Sequence, residues 1–490
     1  MTSRAVCILL LAILFAGLSP VRAQAQIDPE DDALRERVLQ AIAAGQKSLI
    51  VSQKRDGSWP NTHYMSNDIG LTSLAVLALL NSGLPADSEP VRRAIGWLKR
   101  PESNPDRTYD LAMAIMALAA SDDPTVKGKI ARMAQQLEEY QQRGNGAGAW
   151  GYRNESHWDN SNTQFAILGL KEAADVGVRI DRETWQRSQD HFLGNQQGPL
   201  NLPNGAPWGY VPGAGASGSM TVAGIASLSI TRTMLVDDSN VSADGQIDCC
   251  RLKEEPADAA IEAGLRWLTS HFRVRSNPGS EHWPLYYLYG LERAGRFTGQ
   301  RLFGNHDWYR EGAEFLVTTQ NVRDGTWQSR QEDAVAGTSL ALLFLSKGLS
   351  PVVINKLKYG PRNPQTDDII GRDWTRHVRD IANLVDYTSR QPGWPRLLTW
   401  QVVDLRTAAA GEGVSALLQS PIQFMSGTER PDAIEGRELE LLRNYLVQGG
   451  FLFAVQNCNS SSFDDGFREL VRKLFDGQYE LRKLPPTHDV

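Results

Sequence analysis

Two hydrophobic patterns alternate between residues 35 and 350. Stretches such as VRRAIGWLK (91–99) place apolar residues at helical spacing and leave charge on the opposite face, which predicts amphipathic outer helices. Stretches such as LTSLAVLALL (71–80) and GTSLALLFLS (337–346) are apolar almost all round, which predicts enclosed inner helices. Most outer segments are joined to the next inner one by a short turn carrying Gly, Asp or Trp.

The pattern repeats six times, with an outer segment, a turn and an inner segment in each copy. The first copy has Ala33 to Gln53, the turn Asp56-Gly57-Ser58-Trp59, and Ile69 to Ser82. The second has Val91 to Lys99 and Tyr109 to Ala120, with a turn that lacks Gly and Trp. The third has Lys129 to Gln142, Ala149-Trp150-Gly151-Tyr152, and Thr163 to Ala174. The fourth has Glu183 to Gln196, Ala206-Pro207-Trp208-Gly209-Tyr210, and Met220 to Leu235. A polar insertion from Val236 to Asp258 reads as a surface loop. The fifth has Ala259 to Phe272, Glu281-His282-Trp283-Pro284, and Leu285 to Gly295. The sixth has Trp308 to Gln320, Asp324-Gly325-Thr326-Trp327, and Ala334 to Lys347.

Glycine permits the positive φ of a tight turn, and a turn tryptophan offers a broad apolar plate with one donor to pin it. Helix pairs that cannot bury their inner face alone stack on their neighbours. Six pairs with enclosed inner helices are expected to close into an α/α toroid; an open superhelix is the alternative. The turns Gly57-Ser58-Trp59, Gly325-Thr326-Trp327-Gln328 and Ala149-Trp150-Gly151-Tyr152, preceded by Gln53 and Gln320, and the helix opening Asp159-Asn160-Ser161-Asn162-Thr163-Gln164 resemble the QW-type repeats of squalene–hopene cyclases and protein prenyltransferases. The resemblance covers about residues 35–350 and implies the toroid fold.

Beyond Pro351 the grammar changes. A linker rich in Pro, Asn and Asp is expected up to about Gly371. Helices are expected at Trp374–Arg390, Val414–Gln419, Glu435–Gln448 and Phe463–Phe475, and strands at Leu398–Leu405, Pro421–Ser426, Gly450–Gln456 and Tyr479–Lys483. This alternation predicts a parallel α/β layer. The run from Leu442 to Phe453 (LRNYLVQGGFLF), with Phe463-Asp464 and the closing Leu484-Pro485-Pro486-Thr487-His488, resembles a bacterial domain family of unknown function, DUF4159, itself similar to the flavodoxin-like fold of class I glutamine amidotransferases. Family members usually continue past the Leu-Pro…His element, so a natural short form and a fragment are both expected readings. The overall expectation is an α plus α/β chain: residues 1–23 a signal peptide, 35–350 a toroid of about six helical hairpins, and 352–490 a small parallel α/β domain.

Composition adds three constraints. At 490 residues, 41% hydrophobic and 22% charged, the chain suits two or more soluble domains. Arg4, the apolar run Ala5 to Gly17 and the small residues around Ala23 read as a secretory signal, too short for a spanning helix, so an exported, periplasmic or extracytoplasmic protein is expected. Removing residues 1–23 takes away Arg4 and Arg22 and no acid, moving the formal charge from −6 to −8. With no basic, aromatic-laced stripe, nucleic acid is not an expected partner. Cys249, Cys250 and Cys458 remain, an odd set at irregular spacing that does not form a disulfide framework. Neighbouring thiols without a CxxC partner make zinc improbable, and no metal or cofactor is expected.

Candidate chemistry is sparse. The cyclase resemblance implies an Asp-rich DxDD-like acid cluster on the inner wall, and the sequence has none. The prenyltransferase resemblance implies Asp, Cys and His on zinc, yet His157 and His282 have no thiol partner. Single acids stand at inner-helix mouths: Asp68, Asp110, Asp159 and Asp333. Helix capping accounts for all four, and Asp159 and Asp333 are the catalytic candidates among them. Tyr109, Trp158, Trp283, Tyr286 and Tyr287 stand near inner-helix entrances, where they could line an apolar cup for a lipid, polyprenyl chain or glycan, or serve as packing plugs. Cys458 follows the strand Phe451 to Val455, where an amidotransferase-like fold places its nucleophile, but lacks a Gly-x-Cys-x-Gly turn; His488 is the only later histidine. Asp404 and Asn457 fall on the sheet edge where α/β proteins bind ligands. The preferred expectation is a non-catalytic exported protein whose toroid binds a ligand or partner and whose α/β domain docks on another envelope component. The alternative is a toroid enzyme acting on a prenyl lipid or glycan.

Overall fold

A computed structural model describes residues 29–60, 68–235 and 256–487, apart from 366, 368 and 396. The expected signal peptide, Cys249, Cys250, most of the polar insertion and His488 lie outside the described residues. The chain divides into two compact units. One holds Glu30–Pro351 and Asp386–Gln401; the other holds Val352–Val385 and the chain from Val402 on.

In the first unit the outer helices are α1 (Pro29–Ser52), α3 (Glu89–Leu98), α5 (Lys127–Tyr140), α7 (Arg182–Asn195), α9 (Pro256–Ser270) and α11 (Trp308–Thr319). The inner helices are α2 (Asp68–Asn81), α4 (Thr108–Ala120), α6 (Asn160–Asp175), α8 (Gly218–Met234), α10 (Pro284–Thr298) and α12 (Ala334–Gly348). A short hairpin, β1 (Leu302–Phe303) with β2 (His306–Asp307), separates α10 from α11. Each inner helix packs on the inner helix before and after it, and α12 packs on α2. The ring is closed, which excludes the open superhelix. The inner helices are enclosed as their composition requires: in α2, every residue from Ile69 to Leu79 is buried.

The turns explain how the copies lock together. In four of them the indole of the turn tryptophan is fully buried or nearly so and donates to a carbonyl of its own outer helix: Trp59 to Leu49 (2.8 Å), Trp150 to Leu137 (2.7 Å), Trp208 to Phe192 (2.8 Å) and Trp327 to Leu316 (2.8 Å). The backbone N–H of the same tryptophan donates to a threonine hydroxyl on the following inner helix, Thr72, Thr163, Thr221 or Thr338. A glutamine at the end of the outer helix then ties the turn to the next copy. Gln53 donates to Gly57 and Pro90 carbonyls, Gln141 to Thr184, Gln196 to Ala206 and Ala260, and Gln320 to Gly325 and Ala41. That last bond joins the sixth copy to the first. Positive φ matters at these turns: Gly148 (φ 88°) lies so close to the Arg187 carbonyl that a Cβ there would stand 1.9 Å from it.

Copies two and five depart from the rule. In copy two, Lys129 takes over, donating to the carbonyls of Leu98, Arg100 and Ser103. In copy five, Trp283 is not the turn plug expected of it. It sits at φ 61°, immediately before Pro284 at the start of α10.

The second unit is built on a four-stranded sheet of β3 (Val352–Lys358), β4 (Thr399–Asp404), β5 (Ile422–Gly427) and β6 (Phe451–Gln456), in the order β4-β3-β5-β6. β5 runs parallel to both β3 and β6. Helices α14 (Leu405–Ala410), α15 (Val414–Leu418), α16 (Gly436–Val447) and α17 (Ser461–Leu474) belong to this unit, and α13 (Asp380–Ser389) begins in it. A core forms around Leu357, Met425, Leu442, Tyr445 and Phe463.

Three expectations for this region are corrected. The linker reading of residues 352–358 misses β3, an interior strand. Its pattern is masked by Asn355 and Lys356, which are buried because Asn355 donates to the Leu417 carbonyl (3.1 Å) and Lys356 pairs with Asp380 (2.6 Å). The single helix expected over Trp374–Arg390 is a 3₁₀ turn at Asp373–Thr375 followed by α13. The strand expected at Tyr479–Lys483 is irregular chain with Tyr479 63% and Leu481 41% exposed, so no apolar face holds it in a sheet.

Candidate functional site

An apolar cup opens at the N-terminal ends of the inner helices. Its wall follows helical spacing: Leu71 and Leu74 from α2, Tyr109 and Met113 from α4, Ala336 and Leu340 from α12, each pair three or four residues apart and so on one face. Phe165 of α6, Tyr286 of α10 and Trp283 complete the apolar lining, with Gly70 at the start of α2. Gln331, Glu332 and Asp333, in the turn before α12, supply its polar groups. The cup and its open mouth together span about 600 Å³ of space not filled by protein atoms, open solvent included.

Aromatic rings crowd the lumen beside it. Phe165 lies 4.6 Å from Tyr109, 6.1 Å from Tyr286 and 6.2 Å from Tyr289, centroid to centroid. Tyr286 donates its hydroxyl to Gln164 Oε1 (2.7 Å), which links α10 to α6 over the intervening helix. Burial drives the Tyr109 and Tyr286 hydroxyls well above their ordinary pKa, with neighbouring Asp159 adding to the effect, so both remain neutral donors. Tyr109, Phe165 and Tyr286 thus pack against one another and line the cup beside them.

Glu332 is the buried acid of the cup. Its Oε1 accepts from the backbone N–H of Tyr286 (2.8 Å) and its Oε2 from Ser329 Oγ (2.5 Å), so it caps α10 in trans. Burial raises its pKa, while the bonds from Ser329 and the α10 backbone work in the other direction. Asp333 caps α12 through Ala336 N–H (2.8 Å). Gln331 reaches His282 Nδ1 (2.6 Å) near the mouth.

Of the residues singled out from sequence, Tyr109, Trp283, Tyr286 and Asp333 line the same cup. Trp158 does not; it is half-buried with its indole edge-on to His191 of α7, 4.9 Å away, and is corrected from lining residue to packing residue. Tyr287 is fully buried and is likewise absent from the lining. Asp159 is a buried cap of α6, accepting from Asn162 N–H and Nδ2 (2.8 Å each) and from Ser161 Oγ (2.5 Å). It is not part of the cup wall. Asp68 pairs with Lys54 (3.1 Å) and Asp110 is buried in the first turn of α4. Sequence reasoning passed over Glu332, Gln331, Leu71, Leu74, Met113, Phe165 and Leu340. The apolar ones carry a legible signal, the three- or four-residue spacing in the first turns of inner helices. Glu332 carries none beyond its place beside Asp333.

The sheet edge of the second unit is filled by its own side chains. Asp404 caps α14 and pairs with Arg362 (2.5 Å) and Lys358 (3.5 Å); Asn457 is buried. Asp373 accepts from Thr428 N–H (2.9 Å), Thr428 Oγ1 (2.6 Å) and Glu429 N–H (3.0 Å) at the end of β5. Cys458, at φ 54° between β6 and α17, is disulfide-bonded. A sulfur in a disulfide is not a free thiolate. Among the described residues no group of three or more His, Cys, Asp or Glu side chains is placed to hold a metal ion, and no helix is long and apolar enough to cross a membrane.

Residues 353–490 match the family described as "Domain of unknown function (DUF4159)". Solved structures similar to the chain include the type II terpene cyclase MstE from Scytonema without ligand, at 14% identity and a TM-score of 0.28, covering 64% of this chain and 98% of that one. A single-residue variant of MstE in complex with merosterolic acid A aligns at 11% identity and a TM-score of 0.28, covering 64% and 97%. At these TM-scores the likeness carries no argument, and the closed ring rests on the helix contacts above. No curated protein matches the chain.

Proposed function

We propose that this is a non-catalytic, exported binding protein whose toroid holds an apolar small molecule in the cup at the N-terminal ends of its inner helices. One observation carries the reading: the cup is walled by Leu71, Leu74, Met113, Phe165 and Leu340, with aromatic rings around them, while its acids are committed to helix caps. Transfer of a hydrocarbon chain from water into such a wall gains roughly 25 cal/mol per Å². Export is supported by the apolar leader in the sequence. In this reading the DUF4159-like unit docks on another envelope protein.

The test is mass spectrometry of organic extracts from the mature protein purified from an envelope fraction. A stoichiometric lipid or polyprenyl species is the expected result; repeated recovery of empty protein overturns it.

A second reading, acid catalysis on a lipid or glycan, draws support from Glu332, a buried carboxyl with a raised pKa on the wall of the cup. It replaces the pair Asp159 and Asp333, since Asp159 does not line the cup. Conversion of the extracted ligand on incubation with the protein, lost in Glu332→Gln, is what this reading requires.

A further inference from the structure

We propose that the ligand of the cup is an amphiphile whose head is a quaternary ammonium group; this rests on the apolar-receptor reading above. The argument begins with the sign of the wall. Among the described residues that line it, the ionisable side chains other than tyrosine are both acids, Glu332 and Asp333. The nearest inner-helix N-termini each present about half a positive charge. The two carboxyl groups sit on those ends, Glu332 on the N–H of Tyr286 and Asp333 on that of Ala336, and an ionised carboxylate outweighs the partial charge it meets. The mouth of the cup is therefore a region of negative potential over an apolar floor. An anionic head is repelled there, and a neutral head gains nothing from it.

The aromatic groups narrow the choice. Tyr109, Phe165, Trp283 and Tyr286 offer π faces or edges to the same small volume. Aromatic walls beside carboxylates form the cage by which proteins recognise trialkylammonium groups. Glu332 has both oxygens already hydrogen-bonded, to Tyr286 N–H and Ser329 Oγ. A primary ammonium would compete with those bonds for the same carboxylate oxygens. A quaternary head donates no hydrogen bond and needs only the field and the π surfaces. Trp283 adds a second, independent sign: it is a bulky residue held at φ 61°, directly before a proline, in the wall of the cup. Non-glycine residues at positive φ concentrate at ligand clamps.

The experiment is isothermal titration of the full-length mature protein with three probes sharing one eight-carbon chain: octyltrimethylammonium, octanol and octyl sulfate, each below its micellar concentration. Choline serves as the head without a chain. The expected order is ammonium tightest, at least about tenfold tighter than octanol, with octyl sulfate and choline weakest. Glu332→Gln, which keeps an acceptor for the α10 cap, and Trp283→Leu are each expected to reduce the ammonium-over-octanol preference several-fold. Equal binding of ammonium and octanol, or a preference unchanged in both variants, overturns the headgroup assignment and leaves the apolar receptor standing. Choline binding as tightly as octyltrimethylammonium overturns the amphiphile. Binding of none of the chain-bearing probes overturns the receptor reading and this proposal with it.

Discussion

Copies one, three, four and six of the toroid share one set of bonds, and copies two and five do not. In the first group a buried indole, a threonine hydroxyl and a glutamine amide tie each turn to its own helix pair and to the next. In the second group the tie is missing or improvised, and those copies contribute Tyr109, Met113, Trp283 and Tyr286 to the cup. Their inner helices, α4 and α10, stand opposite one another in the ring of six. A repeat held by its neighbours on both sides can afford to lose its own clamp, and the freed positions carry the aromatic lining. Regular copies hold the ring and supply most of the cup wall; the irregular copies add Tyr109, Trp283 and Tyr286, three of its four aromatic residues.

That division has measurable consequences. Trp150→Ala is expected to cost the most, about 3–5 kcal/mol, because it empties a fully buried plate and leaves the Leu137 carbonyl without its donor. Trp283→Ala, half-buried on the cup wall, is expected to cost less than half of that in the same thermal-unfolding assay. Equal costs would break the comparison. Gln320→Ala comes next, at roughly 1–3 kcal/mol, since it strips donors from Ala41 and Gly325 where the last copy meets the first. The expected readout is a lowered unfolding midpoint with the ring intact.

Two buried side chains of the ring, His191 and Glu332, should also answer pH with opposite signs. Burial lowers the His191 pKa from its ordinary 6.5 to about 4 in α7, a regular copy, and its Nε2 lies 2.8 Å from Asn160 Oδ1. The unfolded chain therefore takes up more protons than the folded one between those values. Stability is complete above about pH 6.5 and is lost as pH falls toward 4, by about 2 kcal/mol between pH 7 and 5. His191→Gln should flatten that slope. Glu332 behaves the other way. Its folded pKa is raised above 4.5, so its contribution is fully present below that value and is lost as pH rises through the folded pKa. Glu332→Gln should remove this component, a smaller effect than that of His191. Smallest of all is Tyr286→Phe, which gives up one hydroxyl bond to Gln164 and is expected to cost about 0.5–1.5 kcal/mol.

Much of the ring was legible in the chain. The turns at Trp59, Trp150, Trp208 and Trp327 and the glutamines Gln53 and Gln320 are local signals, and each does in the structure what a plate with one donor or a terminal amide is suited to do. Gln141 and Gln196 were harder to see, because the number of residues between glutamine and tryptophan changes from copy to copy. Trp158 and Trp283 look alike in sequence, each preceded by a histidine, yet one packs on His191 and the other lines the cup. β3 stayed hidden because a buried lysine at 356 reads as a solvent residue until its partner Asp380 is known.

The sequence by itself determined the number of helical hairpins, their inner and outer members, and the change of architecture after residue 351. All of these follow from periodicities of a few residues, which a chain displays whether or not it is folded. Closure of α12 onto α2, the burial of Glu332 at the start of α10, and the meeting of Tyr109, Phe165, Trp283 and Tyr286 around one cup were decided only by tertiary structure. Those residues come from helices far apart along the chain, and what brings them together is the ring's requirement to bury every inner face at once.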